Sequence, residues 1–250
     1  MEPRPQVIPL VTPEGRRRSI DYRFATEQVE LESAFRLVYE TYLDGGLTRP
    51  HPSRQRVSRY HLLPTTHVFV ARCDARVLAT VTLVEEGQLG LPIASLYGPA
   101  IDSLRDPDVR LAEVTGLAHS RSEEWFGVSV VERLMSLMVQ FADWRELDRL
   151  LIAVNPQHAR FYNRIGFHAF DVPRPYPAVC GKLAVPMQLD LRTVAEDHPA
   201  AHRRFFGRPF PAELFRMVPL SSSLVQHFRR VVESIEGRDE AEGLQRRCAL

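Results

Sequence analysis

Leu150-Leu151-Ile152-Ala153-Val154-Asn155-Pro156-Gln157-His158-Ala159-Arg160-Phe161-Tyr162-Asn163-Arg164-Ile165-Gly166-Phe167 is the stretch on which the reading of this chain turns. Leu150 to Val154 is a continuous apolar run, the pattern of a strand covered on both faces. Asn155 suits a helix N-cap, and Pro156 suits the first helical position, where its missing N–H has no partner to lose. A short helix then spans His158 to Ile165, and Gly166 closes it at the C-terminal end. The chain thus passes from a buried strand through a capped helix and back to apolar sequence at Phe167, and the remaining elements are read outward from there.

Upstream, Glu123 to Ala142 reads as a helix with Val130, Leu134, Met138 and Phe141 on one face, and Arg110 to Ala118 as a strand. Val68–Cys73 and Val77–Glu85 are β-rich runs joined by Asp74-Ala75-Arg76, a hairpin-length connection without the favoured glycine. Tyr22 to Phe24 makes a short strand. Thr26 caps a helix from Glu27 to Leu43, with Leu31, Phe35, Val38 and Tyr42 at helical spacing and Gly45-Gly46 at its end. Residues 44–66 are polar and Arg-rich (Arg49, Arg54, Arg56, Arg59), too long for a plain connection. Downstream, Phe167–Val172 and Leu183–Leu191 complete the sheet, and Pro186 argues for an edge or a bulge in the second. The order β-α-β-β-β-α-β-α-β-β gives an α/β (α+β) fold, a mixed sheet flanked by helices. Residues 192–250 follow as a C-terminal helical appendage, with an aromatic stretch from Phe205 to Phe215 and a helix from Ser221 bearing Leu224, Phe228, Val231 and Ile235.

Composition narrows the class. The 250 residues suffice for one large domain, and 44% hydrophobic with 25% charged residues describes a folded globular chain rather than a disordered or fibrous one. A net charge of +1 supplies no global field for nucleic acid, so no nucleic-acid partner is expected. Lys182 is the single lysine, and it stands in Val179-Cys180-Gly181-Lys182-Leu183 with no Gly-rich loop before it and no Ser or Thr after it. Schiff-base chemistry and a P-loop lysine would both have to use this residue, and its surroundings do not match a P-loop. Cys73, Cys180 and Cys248 are odd in number and far apart, which fits reduced thiols better than disulfides or zinc, and no metal site is expected. No apolar run approaches a membrane span and Met1 to Arg18 lacks a signal-peptide pattern, so the expectation is a cytoplasmic protein with a flexible N-terminal arm over residues 1–19.

The element order and the ending Asn155…Phe161-Tyr162…Gly166-Phe167 resemble the GCN5-related N-acyltransferase superfamily. Three further stretches, His61-Leu62-Leu63-Pro64-Thr65-Thr66, Leu89-Gly90-Leu91-Pro92-Ile93 and Leu111-Ala112-Glu113-Val114-Thr115-Gly116-Leu117-Ala118, are similar to the N-acyl amino acid synthase branch, relatives of acyl-homoserine-lactone synthases. The resemblance covers residues 20–191. It implies a mostly antiparallel sheet with splayed central strands. It also implies transfer of a medium- or long-chain fatty acyl group from acyl carrier protein to the α-amine of an amino acid. It implies further that no cofactor is bound permanently and that the substrate is an acyl-phosphopantetheine thioester, on acyl carrier protein or on coenzyme A. One departure bears on the donor. Coenzyme A-using members hold the pyrophosphate on a Gly-rich loop at a helix N-terminus, whereas this chain has His119-Ser120-Arg121-Ser122-Glu123-Glu124-Trp125-Phe126-Gly127, with two carboxylates in that place. A carrier protein presents phosphopantetheine without the adenosine diphosphate portion and needs no such loop.

The candidate site residues each have two readings. Glu113 lies in a mostly apolar strand, where a carboxylate is costly unless partnered. It is either a general base for the acceptor amine or a structural carboxylate paired with arginine. Thr115, Gly116 and Leu117 stand where the superfamily's fourth strand bulges and offers N–H groups to the thioester carbonyl, or they form a plain glycine kink. Tyr162 matches a tyrosine held near the departing sulfur, or it is a core aromatic. Asn155 and His158 are a cap and a first-turn residue, and also candidate pantetheine contacts. Arg56 and Arg59 are candidates to bind the acceptor's carboxylate, or solvated loop arginines. The rivals to this enzyme are an acyl-CoA acetyltransferase and an idle acyl- or carrier-binding module.

Overall fold

The computed structural model describes residues 6–11, 17–121 and 127–247. In chain order its strands are β1 Gln6–Val11, β2 Arg17–Phe24, β3 Thr66–Cys73, β4 Arg76–Glu85, β5 Leu111–His119, β6 Arg149–Val154, β7 His168–Ala169, β8 Arg174–Tyr176 and β9 Lys182–Asp190. The helices are α1 Gln28–Asp44, α2 Ala94–Asp102, α3 Gly127–Trp144, α4 Pro156–Arg164, α5 Val194–Asp197, α6 Pro199–Phe206 and α7 Ser222–Arg247. The described strands form one sheet in the order β1-β2-β3-β4-β5-β6-β9-β7, with β8 also on β9. Every pairing is antiparallel except β5 with β6.

Side-chain alternation assigns the layers. Along β3, Phe69 and Ala71 pack with Leu134, Met138 and Phe141 of α3, while Val68 and Val70 pack with Leu31 and Phe35 of α1 on the opposite face. This period of two leaves both faces apolar and covered by helix, as a central strand requires. A third cluster, Val84, Ile93, Tyr97, Ile101, Leu111 and Leu151, seats α2 on β4, β5 and β6. The tight β3–β4 turn is made without glycine because Asp74 takes the left-handed conformation, φ 53°, which Asp tolerates better than most residues.

Four expectations are corrected. Residues 1–19 are not a loose arm throughout, because β1 pairs with β2 from Gln6↔Tyr22 to Val11↔Arg17 and sets Ile8 opposite Ile20, both against the main core. The connection around Gly90 to Ile93 leads into α2, a helix masked in the sequence by Pro99 and kinked at Tyr97. Of the expected strand Phe167–Val172, only His168–Ala169 forms a strand, paired with β9. Finally, β9 is neither an edge nor bulged at Pro186. It lies between β6 and the β7 and β8 ladders, and Pro186 falls between Ala184, which pairs with β8, and Met187, which pairs with β7, so its missing N–H breaks neither ladder.

The C-terminal segment divides between the two faces. Phe205, Phe210, Leu214 and Phe215 belong to the α3-side core. The buried Gln140 of α3 fastens them, donating from Nε2 to the carbonyls of Phe205 (2.5 Å) and Arg208 (3.1 Å) and accepting at Oε1 from the Phe210 N–H (2.8 Å). In contrast, α7 lies across α1, with Phe228 and Val232 buried in the second cluster.

Gly166, which closes the stretch that decides the fold, has φ +94°, and a Cβ there would meet Leu189 Cδ1 at 3.0 Å and Ala201 Cβ at 3.2 Å. Strained backbone and crowding thus act together. Gly166→Ala is expected to cost on the order of 2 kcal/mol, lowering the melting temperature by roughly 4–8 °C in a thermal melt.

Candidate active site

Parallel pairing of β5 with β6 lasts for three residues, Leu111↔Arg149, Ala112↔Leu150 and Glu113↔Leu151. Beyond Glu113 the strands separate, β5 staying with β4 and β6 with β9. A bulge drives β5 away: Thr82 pairs with Thr115 and Thr80 with Ala118, so Gly116 and Leu117 together oppose Val81. Gly116 makes this possible at φ +61°, a conformation costly for residues with a Cβ. The β6-facing backbone edge of β5 after Glu113 therefore has no ladder partner and borders an open notch.

A cleft of about 950 Å³ runs through this notch. Its α3-side floor is apolar, formed by Val114, Met135, Ile152 and Phe167. The α2 side is polar and contains Tyr60, Ser95, Glu113 and Tyr176. Every residue singled out in the sequence lines this one cleft: Glu113, Thr115, Gly116, Leu117, Asn155, His158, Tyr162, Arg56 and Arg59.

Glu113 is 3% exposed. Its Oε2 accepts the Ile93 N–H at 2.6 Å, and no ion pair reaches it among the described residues. The structural alternative, a partner arginine, is thus not realised there. Burial pushes its carboxyl up to about 8, with the Ile93 amide opposing. The nearby Tyr176 hydroxyl donates to the Pro92 carbonyl at 3.1 Å; burial first, then the Glu113 charge, push that phenol up to about 12. At Tyr60, burial raises the phenol, Arg59 opposes and Glu113 adds to the rise. Ile93, Tyr60 and Tyr176 went unassigned in the sequence. The Gly90-Leu91-Pro92-Ile93 motif was the signal for the first, whereas Tyr176 enters from a segment with no motif.

The other candidates divide by engagement. Asn155 caps α4, its Oδ1 accepting from the Gln157 N–H at 3.0 Å, and His158 in the first turn is exposed. Tyr162 packs edge-on to Phe167 at 5.6 Å, and burial drives its hydroxyl pKa well up, helped by Tyr42. The Arg56 guanidinium is occupied: it donates to the Ala178 carbonyl at 2.8 Å and to Thr48 Oγ1 at 3.4 Å, and lies 4.5 Å over the Tyr42 ring. It ties the 44–66 loop to the turn before β9. His61, also on the cleft, accepts the Ser58 N–H at Nδ1 (3.1 Å), and burial lowers its pKa to about 4, so it is neutral near pH 7 with the remaining proton on Nε2. Residues 122–126, which carry the two carboxylates in place of a pyrophosphate loop, lie outside the described residues.

A mixed sheet opened by a bulge in β5, with helices on both faces, is the architecture expected from the resemblance to GCN5-related acyltransferases. Solved structures agree in fold. That of an N-acyl amino acid synthase from uncultured soil microbes has a TM-score of 0.63 at 22% identity, covering 69% of this chain and 92% of that one. The acyl-homoserine lactone synthase LasI gives 0.57 at 12%, covering 77% and 96%. The CoA-dependent acyl-homoserine lactone synthase BjaI gives 0.55 at 16%, covering 79% and 90%. No curated protein matches the chain by sequence. The family model for N-acyl amino acid synthase FeeM matches residues 33–190, and the chain belongs to this family. It is an N-acyltransferase.

The Glu113 carboxyl gives a direct thermodynamic test. A folded-state pKa near 8 against 4.5 when free means the native state holds a proton that the unfolded chain releases, so native stability falls as pH rises between these values. Glu113→Gln has no such proton to lose. Its melting temperature relative to wild type should rise by several °C from pH 5 to pH 8.5, measured by differential scanning fluorimetry; a constant difference would contradict the buried, unpaired carboxyl.

Proposed function

We propose that the enzyme transfers a medium- or long-chain fatty acyl group from the thioester of an acyl carrier protein to the α-amine of an amino acid. The observation that carries this reading is the buried carboxyl of Glu113 without an ion-pair partner, beside an unpaired strand edge, at the point where a cleft passes through the sheet. The acceptor's ammonium gives a proton to the Glu113 carboxylate, and approach of that cation favours the ionised base. The free amine attacks the thioester carbonyl; backbone N–H groups at the Thr115-Gly116-Leu117 bulge receive the oxyanion. Collapse breaks the C–S bond, forms the amide, and passes the second amine proton to the departing sulfur, with Tyr162 as donor. A thiol leaves readily as thiolate, so that last assistance is modest.

The polarity of the cleft supports the orientation. The acyl tail extends to the apolar floor of Val114, Met135, Ile152 and Phe167, where each buried methylene contributes roughly 0.8 kcal/mol. The acceptor lies on the polar side, its carboxylate at Arg59. The carrier-protein donor is supported by the sequence His119 to Gly127, which lacks a pyrophosphate-binding loop.

Dodecanoyl and acetyl groups, each on carrier protein and on coenzyme A, should be offered with a mixture of amino acids and the products read by mass spectrometry. The expected result is an N-dodecanoyl amino acid formed best from the carrier. Acetyl transfer at the dodecanoyl rate would favour the acetyltransferase reading. Glu113→Gln should lower kcat by about 10²-fold or more, and wild-type kcat/KM should climb with pH toward the Glu113 value of about 8. An idle binding module would show neither.

The two loop arginines should separate in their effects. Arg59→Ala is expected to raise the amino-acid KM by about tenfold, the loss of one charge-assisted contact, without shifting the thermal transition. Arg56→Ala should instead lower the melting temperature, since its guanidinium is spent on Ala178, Thr48 and Tyr42.

A further inference from the structure

The family match ends at residue 190, yet part of the cleft wall comes from well beyond it. Ile235, Glu236 and Arg238 of α7 line the same cleft as Glu113. The helix is anchored just before these residues. Phe228 meets Phe35 of α1 edge-on at 5.2 Å, Val232 is buried in the same cluster, and His227 Nε2 lies 2.9 Å from Glu32 Oε1. Phe228, Val232 and Ile235 stand at i, i+4 and i+7, one stripe of the helix. The stripe is buried where it crosses α1 and only half-buried at Ile235, where it reaches the cleft. The helix also packs on the single turn Arg59–Leu62, through the cluster that joins Leu62 to Ile235. That turn carries Arg59 and Tyr60, so α7 stands beside the part of the cleft that the proposed function gives to the acceptor.

We propose that α7 is the wall that reads the acceptor's side chain: Ile235 packs against it, and amino acids with apolar side chains are preferred. The inference rests on the amino-acid acylation proposed above, and it adds a specificity element from a segment outside the family-matched region. Because Ile235 packs with the α1-side cluster while the acyl floor belongs to the α3-side core, its substitution should alter discrimination among acceptors and leave the KM for the acyl donor in place.

The test uses the full chain with a dodecanoyl carrier-protein donor at saturation and glycine, leucine, phenylalanine and glutamate as competing acceptors. Wild type should favour leucine and phenylalanine over glycine and glutamate. Ile235→Trp, which fills the space, should lower the leucine-to-glycine ratio of kcat/KM at least tenfold, with unchanged donor KM. Ile235→Val removes one methyl group, leaves the Phe228 and Val232 anchor intact and serves where the larger change disturbs folding; it should lower the same ratio about two- to threefold. Unaltered ratios in variants with a wild-type thermal transition would overturn the role of α7 while leaving the acylation reading standing. A wild-type protein that acylates none of the four acceptors would overturn both.

Discussion

Three residues of parallel pairing hold β5 to β6, and the site depends on where that pairing stops. Had the strands stayed paired to their ends, the backbone beyond Glu113 would be consumed in the ladder and the sheet would be closed. The bulge at Gly116 and Leu117 rotates β5 toward β4 instead. Gly116 at φ +61° is the covalent condition for it. What results is a gap in the middle of a sheet that is elsewhere continuous and covered on both faces, with unpaired backbone on one lip and the end of β6, running into the α4 cap, on the other.

The gap joins two environments that the alternation of strand side chains keeps apart. On the α3 side the residues at the opening, Val114, Met135 and Ile152, are continuous with the main core. On the α2 side Glu113 shares its face with Leu111 and Leu151 and is screened by α2 and Tyr176. Moving one residue along β5, from Glu113 to Val114, changes face and chemistry together, because successive strand residues point to opposite sides. Burial without an ion-pair partner makes Glu113 expensive to ionise. The other buried glutamate of this sheet shows the contrast. Glu85 is also desolvated, yet His67 Nε2 at 2.8 Å and a two-point contact from Arg145 lower its pKa to about 2. One carboxylate is held ionised by partners and the other is kept protonated by their absence, which is how environment assigns roles to like groups.

Residues beyond β9 serve both faces. The α6 segment closes the α3-side core through Gln140 and four buried aromatic and aliphatic side chains, and Arg204 pairs with Glu132 of α3. The last helix covers the α1-side cluster and extends its apolar stripe to the cleft.

The local chemistry of this protein is written in short stretches. Asn155, Pro156 and Gly166 each act through their own backbone or the next few residues, so the β6–α4 passage is legible without knowing what surrounds it. Glu113 and Gly116 also stand out on one strand, as a carboxylate in an apolar run and a glycine directly after Thr115, although each leaves two readings open. Pro186, α2 and the use of Arg56 are not legible in this way. Whether Pro186 disrupts β9 depends on which neighbour its backbone faces, a property of β7 and β8. Pro99 hides a helix that α2's burial against Leu111 and Leu151 enforces. Arg56 and Arg59 look alike as loop arginines, and only the approach of Ala178, Thr48 and Tyr42 to the first separates them. The sequence by itself determined the strand-cap-helix passage and the residues able to do the chemistry, because these depend on near neighbours; tertiary structure alone decided the pKa of Glu113, the partner of each arginine and the wall supplied by α7, because desolvation and long-range contacts exist only after distant segments have met.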